Sequence, residues 1–280
     1  MPELPEVETI KRELLAAQLV GKTIMRCIIL RNDVIGHPSV KCFARLLRNT
    51  TIKSIHRRAK YLIFTLDSDK LLIFHLRLSG SIILRKTSEQ NTKFARIVLI
   101  ISDDRKLIFD EPRVLGRIYL LCTGEKPAVL KGYYKLSHEP LSPEFDFAYF
   151  KNRIKNRRKA VIKSLLLDQS FCAGIGNIYS DEALFKAGIG PLRRAGTLKH
   201  SEIFKLLLSL KHVLRQGILH LGTSVSDYKR PDGSTGGFQN LLNVYGREGE
   251  PCRSCGTPIA AKKLGNRTTR FCPKCQKYGA

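Results

Sequence analysis

The chain has 280 residues, 43% of them hydrophobic, which allows one large or two ordinary domains with buried cores and does not fit a disordered polymer. Lys and Arg number 49 against 24 Asp and Glu, a formal charge of +25; solubility does not need this excess, and it points to a polyanionic partner, either nucleic acid or an anionic membrane surface. No apolar run reaches the length of a spanning helix, and the three Glu in the first ten residues are the opposite of a basic leader, so a cytoplasmic protein is expected.

The chain opens Met1-Pro2-Glu3-Leu4-Pro5-Glu6. If Met1 is removed, Pro2 offers a secondary amine beside the Glu3 carboxyl, a nucleophile next to a proton donor. Pro and Glu are also ordinary helix-start residues, and both readings stand at this point. A helix is predicted from Pro5 to about Val20, with Val7, Ile10, Leu14 and Ala17 on one face and Gly21 as the stop. Short β-branched runs follow at Thr23–Leu30, Tyr61–Leu66, Leu71–Leu76, Ser81–Leu84, Ile97–Ile101, Lys106–Phe109 and Ile118–Leu121, with a helix over Pro38–Arg48. So many strands in about 100 residues suggest an antiparallel sandwich or barrel. After a linker at 135–144 the pattern turns helical, at Phe145–Asn156, Ala160–Asp168, Ile178–Ala187 and Leu198–Leu219. The polar, Gly-rich stretch Gly222–Gly237 reads as a mobile functional loop.

Cys252-x2-Cys255 and Cys272-x2-Cys275, sixteen residues apart, fit a four-thiolate zinc site with no open coordination position, hence a structural one. The segment from Cys252 to Ala280 carries seven basic residues and no acidic one, as expected of a ribbon that grips phosphate. Cys27, Cys42, Cys122 and Cys172 are scattered and read as small buried hydrophobes. Lys151, Arg153, Lys155, Arg157, Arg158, Lys159 and Lys163 form a run without an acid, which favours nucleic acid over a solvated face. Gly174-Ile175-Gly176-Asn177 opens a helix and lets a phosphodiester approach backbone amides; it follows a helix, not a strand, so it is not a dinucleotide fingerprint.

Taken together, Pro2–Thr9, Arg57–Tyr61, His75-Leu76-x-Leu78-Ser79-Gly80, Leu167-Asp168-Gln169, Ala173–Tyr179 with Asp181-Glu182, and Val244–Arg247 leading into the Cys pairs resemble the bacterial formamidopyrimidine-DNA glycosylases, which repair 8-oxoguanine. The resemblance implies an α+β architecture. An N-terminal antiparallel β-sandwich with flanking helices spans 1–134. A helix–two-turn–helix domain follows at 145–242, with a lesion-capping loop at 222–238, and a four-cysteine zinc ribbon at 243–277. It implies one structural Zn2+, a DNA partner carrying oxidised purines or abasic sites, and action as a monomer. It further implies that Pro2, freed of Met1, attacks C1′ of a flipped nucleotide, that Glu3 relays protons, and that Lys60 and Arg267 serve the eliminations. By the same likeness Glu6, His75, Leu78, Arg113, Leu115, Arg158 and Asn177 fall at lesion- or DNA-contacting positions.

The chain departs from the family's pattern around the helix void. Leu78 stands for Met, Leu115 for Phe, Val114 for a second Arg, Phe94 for His, and Arg96 also for His. A shifted opposite-base preference or lesion range is therefore expected, with the elimination chemistry intact. Other readings are a non-catalytic damage binder, the sister enzyme for oxidised pyrimidines (against which Leu4 speaks), and, distantly, a zinc-ribbon protein that does not act on DNA.

Overall fold

The computed structural model describes residues 2–225 and 227–277, so the removal of Met1 lies outside the described residues. The chain divides into two compact units, one running to Tyr134 and including His220–Gly237, the other comprising Lys135–Leu219 and the residues from Phe238 on. By its contacts the segment His220–Gly237 groups with the first unit, for reasons given below.

The first unit contains α1 (Leu4–Ala16), β1 (Thr23–Ile29), β2 (Ile35–His37), α2 (Val40–Leu47), β3 (Thr50–Arg58), β4 (Tyr61–Leu66), β5 (Leu71–His75), β6 (Ser81–Lys86), β7 (Ala95–Ile101), β8 (Arg105–Asp110), β9 (Arg117–Leu121) and α3 (Lys131–Tyr134). The strand order is β2-β9-β5-β4-β3-β1-β7-β8-β6. The junction of β1 with β3 is only Thr23↔Thr51 and Ile24↔Thr50, so the sheet folds there into two layers. Leu62, Phe64, Leu72 and Phe74 of one layer and Ile82, Ile97, Leu99, Leu107 and Phe109 of the other share a core with Val7, Ile10 and Leu14 of α1. Each of these burials contributes about 1.5–3 kcal/mol before chain entropy is counted. The pairing is antiparallel except for β2 with β9, which is parallel.

α1 stops at Ala16, short of the predicted Val20, because Gln18 and Gly21 take φ of +55° and +84°. β3 was not predicted. Its alternation is broken by a bulge between Ile52 and Ser54, and its end is basic, so it lacks a clean two-residue period. Of the four scattered cysteines only Cys172 is buried; the others are half-buried.

The second unit contains α4 (Phe147–Lys155), α5 (Ile162–Leu167), α6 (Asn177–Ala187), α7 (His200–Leu219) and the hairpin β10 (Ala260–Leu264) and β11 (Arg267–Phe271). The Asp146 carboxylate caps α4 by accepting from Tyr149 N at 2.7 Å. α6 ends on Gly188, left-handed at φ +72°. Gly217 of α7 leaves room for Tyr179, since a Cβ there would sit 2.5 Å from the ring, and Tyr179 stacks on Phe238 at 5.5 Å.

Candidate active site

Pro2 is buried and Glu3, the N-cap of α1, is 1% exposed. Glu6, also buried, accepts from Glu3 N at 2.7 Å through Oε2 and from Thr223 N at 2.8 Å through Oε1. One carboxylate thus fixes both the chain start and the base of the 222–237 loop, which is why the loop belongs to this unit. Further out, Arg230 pairs with Glu13 of α1 at 2.6 Å, Leu84 N donates to Pro231 O at 2.8 Å, and Lys229 N donates to Ser81 Oγ at 3.2 Å.

Lys60 sits in the β3–β4 turn and is 8% exposed. Ala59 before it takes φ +51°, a left-handed conformation that costs an L-residue about 1–2 kcal/mol. The turn is held from α1: Arg57 Nε donates to Glu8 Oε2 at 2.9 Å while Arg57 Nη1 donates to Ala59 O at 3.2 Å. Burial works against the Glu8 anion, but Lys11 and Arg57 prevail and hold its pKa below the usual value. The helix that starts at Pro2-Glu3 is therefore bonded to the turn that carries Lys60.

Arg58, Tyr61, His75 and Arg117 lie in register across β3, β4, β5 and β9 at one end of the sheet. His75 stacks on Tyr61 at 4.4 Å and is pushed down to a pKa of about 3, first by burial and then by Arg77 and Lys60, so it is a neutral imidazole at working pH. Leu78 is half-buried in the β5–β6 connection. Arg113 and Leu115 are exposed on the β8–β9 connection, Leu115 at 41%, while Val114 packs on the core. Leu115 and Arg113 are thus presented outward and Val114 is not.

In the second unit, α5 and α6 are joined by two turns stapled by Gln169, whose Nε2 donates to Leu167 O (3.0 Å) and Ile175 O (2.8 Å) and whose Oε1 accepts from Gly174 N (2.9 Å). Asn177, the first residue of α6, donates from Nδ2 to Thr268 O at 2.9 Å. This brings it to the start of β11, beside exposed Arg267. Arg158 is exposed in the basic run after α4. The four Sγ atoms of Cys252, Cys255, Cys272 and Cys275 lie within 4.8 Å of one another, with Cys252–Cys275 at 3.9 Å and Cys255–Cys272 at 3.5 Å. A tetrahedron with Zn–S bonds of ~2.3 Å has edges of about 3.8 Å, so these residues fit one structural Zn2+.

Lys163, which the basic run counted toward nucleic acid, is instead fully buried, and Asp181 and Glu182, given no role of their own in the sequence, organise these parts with it. Lys163 and Asp181 form a fully buried pair at 2.5 Å, and Asp181 Oδ2 accepts from Arg270 N of β11 at 3.1 Å. Burial pushes the Asp181 pKa up to about 7 against the pull of Lys163. Glu182 receives the amides of Asn243, Val244 and Tyr245 at 2.9–3.0 Å, fixing the chain that enters the ribbon. Their signal was an adjacent acid pair inside an otherwise apolar helix.

The second unit is thus that of a zinc-ribbon protein with a helix–two-turn–helix, and the first is a sandwich with a buried chain start. Residues 1–118 match the formamidopyrimidine-DNA glycosylase N-terminal domain, 136–229 the H2TH domain of the same enzymes, and 249–277 the zinc finger found in FPG and IleRS. The chain is 40% identical over 277 residues to the formamidopyrimidine-DNA glycosylase of Pelotomaculum thermopropionicum, covering 99% of both chains. It is 41% identical over 279 residues to that of Desulfitobacterium hafniense, covering 99% of this chain and 100% of the relative. Among solved structures it superposes on MutM (Fpg) of Thermus thermophilus with a TM-score of 0.88 at 36% identity, covering 100% of each chain. A Lactococcus lactis Fpg variant in complex with Fapy-dG containing DNA gives 0.89 at 36% identity, covering 99% of this chain and 100% of that one. The chain belongs to the formamidopyrimidine-DNA glycosylase family.

Proposed function

We propose that this protein is a base-excision repair enzyme, a DNA glycosylase and abasic-site lyase that removes oxidised purines from double-stranded DNA, acting as a monomer in the bacterial cytoplasm at the nucleoid. The observation that carries the reading is the buried Pro2-Glu3 start of α1, bonded through Glu8 and Arg57 to the turn that holds Lys60. The names of its relatives, and a Lactococcus lactis Fpg complex with an abasic site containing DNA, support the substrate class. No helix among the described residues is long and apolar enough to cross a membrane.

In this reading the damaged nucleotide is flipped out and the Pro2 nitrogen, freed of Met1, attacks C1′. An α-amino group has a pKa of about 8 against about 10.4 for Lys, so more of it is the free base at neutral pH. The C1′–N bond to the base breaks, Glu3 relays protons as the sugar ring opens, and an iminium to Pro2 results. The iminium acidifies the C2′ hydrogen; its removal expels the 3′ phosphate, and a second elimination expels the 5′ phosphate. Lys60 serves these eliminations, and Arg267 steadies the phosphate leaving in the second. Asn177 and Arg158 grip the backbone, His75 and Glu6 line the lesion side, and Leu78, Arg113 and Leu115 fill the void. Cys252, Cys255, Cys272 and Cys275 would hold one structural Zn2+, which would supply a cross-link bracing the hairpin that carries Arg267.

Borohydride added to the enzyme with 8-oxoguanine or abasic duplex should trap one covalent adduct, mapped by mass to Pro2, and Pro2→Gly should lower its yield by more than about tenfold. Absence of an adduct on both substrates would leave a damage binder without chemistry and end the proposal.

A further inference from the structure

Glu111 is 0% exposed, and the sequence reading assigned it nothing. Its carboxylate joins two connections at the same end of the sandwich. Oε1 accepts from Ser79 Oγ, in the turn that bears Leu78, and from Arg113 N at 3.0 Å; Oε2 accepts from Gly116 N at 2.9 Å. The two glycines facing it have no room for a side chain. A Cβ on Gly116 would lie 2.5 Å from Glu111 Oε2, and one on Gly80 would lie 2.7 Å from Leu76 O and 3.1 Å from Glu111 Oε2.

The opposite side of the 111–117 loop is held by two guanidinium groups. Arg117 Nη1 donates to Val114 O, Leu115 O and Gly116 O at 2.9, 3.2 and 2.8 Å. Arg96 Nε donates to Glu111 O at 2.8 Å, and Glu111 N donates to Phe94 O at 3.0 Å. Between them Val114 takes φ +55°, a conformation costly for a β-branched residue that persists only where the surroundings over-determine it. Donors meet the carbonyls, an acceptor meets the amides, and a strained residue packs on the core, so Arg113 and Leu115 project from a fixed frame.

We propose that Glu111 is a positioning residue that locks the Leu78 turn and the Arg113–Leu115 loop into one preorganised wedge, and that this lock sets discrimination against the base opposite the lesion. The inference rests on the reading that these three side chains enter the void left by a flipped nucleotide. A wedge of fixed shape meets a correct and an incorrect opposite base with different fit, whereas a loose one adapts to both. Arg96, standing where the family has His, is part of the lock through the Glu111 carbonyl.

The test is single-turnover excision of 8-oxoguanine opposite C and opposite A, beside cleavage of an abasic site opposite C, in the wild type, Glu111→Gln and Ser79→Ala. Gln offers one acceptor oxygen where the loop presents amides to both carboxylate oxygens. Ser79→Ala cuts only the link to the Leu78 turn and leaves the loop amides satisfied, so it serves if Glu111→Gln does not fold. Either variant should lower the C-over-A ratio by about tenfold while abasic cleavage stays within about twofold. An unchanged ratio in the folded variants, or an equal fall on the abasic site, would overturn the lock. If the wild type itself forms no borohydride adduct, the underlying function has failed, and that is seen before any variant is measured.

Discussion

His75 has its ring against Tyr61, and burial keeps it unprotonated down to a pKa of about 3. The unfolded chain takes up that proton below its ordinary value of about 6.5, whereas the folded chain does not until near 3, so stability must fall as pH drops through this window. At pH 5 the loss from this one residue is about 2 kcal/mol. His75→Phe keeps the stacking and removes the titration; its unfolding free energy should change less between pH 7 and pH 5 than that of the wild type, and an equal change would refute the assignment. Arg57 is the companion case. Arg57→Ala should cost about 2 kcal/mol by denaturant titration, since a nearly buried Glu8 loses one partner but keeps Lys11 and Arg12. The same change frees the strained Ala59–Lys60 turn, so elimination at an abasic site should slow several-fold even though Lys60 is retained.

At the level of elements, the Glu182 carboxylate ties α6 to the 243–245 amides. Glu182→Ala should therefore cost about 3 kcal/mol, as three backbone donors lose a charged acceptor together. Thermal unfolding of the whole chain checks this, and a shift within error would show that water replaces the carboxylate. The capping loop gives a milder case. Arg230→Ala removes a half-buried pair worth about 1 kcal/mol, and should slow excision of a damaged base more than cleavage of an abasic site. The sequence made α1, α4, α6, α7 and seven strands legible within a few residues, the helices by length and stop signals and the strands as short apolar, β-branched runs, of which β4, β5, β8 and β9 bury consecutive residues on both faces. β3 escaped because its bulge breaks the period, and the loop's attachment escaped because Glu6 and Thr223 are joined by one carboxylate across 217 positions. The zinc ligands were legible from spacing alone. Pro2 and Glu3 were legible as an amine beside a proton donor, but only the family resemblance separated that from an ordinary helix start; Lys60 became a candidate through the resemblance alone, since local chemistry does not separate an active Lys from 48 other basic residues.

For the molecule as a whole, a charge of +25 makes DNA affinity a function of salt. The logarithm of the binding constant should fall linearly with the logarithm of salt concentration, by about 0.9 per phosphate neutralised, and a flat dependence would exclude backbone contact as the main source of affinity. Removing Zn2+ with a chelator should unfold the ribbon and abolish binding while the strand signal of the sandwich, which holds none of the four ligands, persists in circular dichroism. The capping loop is pinched at its neck: a Cβ on Gly236 would lie 2.2 Å from Gly222 O, and Gly237 N donates to His220 O at 2.8 Å. In hereditary terms that neck makes the loop a cassette. Short insertions and deletions between Ser224 and Gly236 would leave both glycines where they are, so the loop's contents can change without moving the chain start that Glu6 holds at its base.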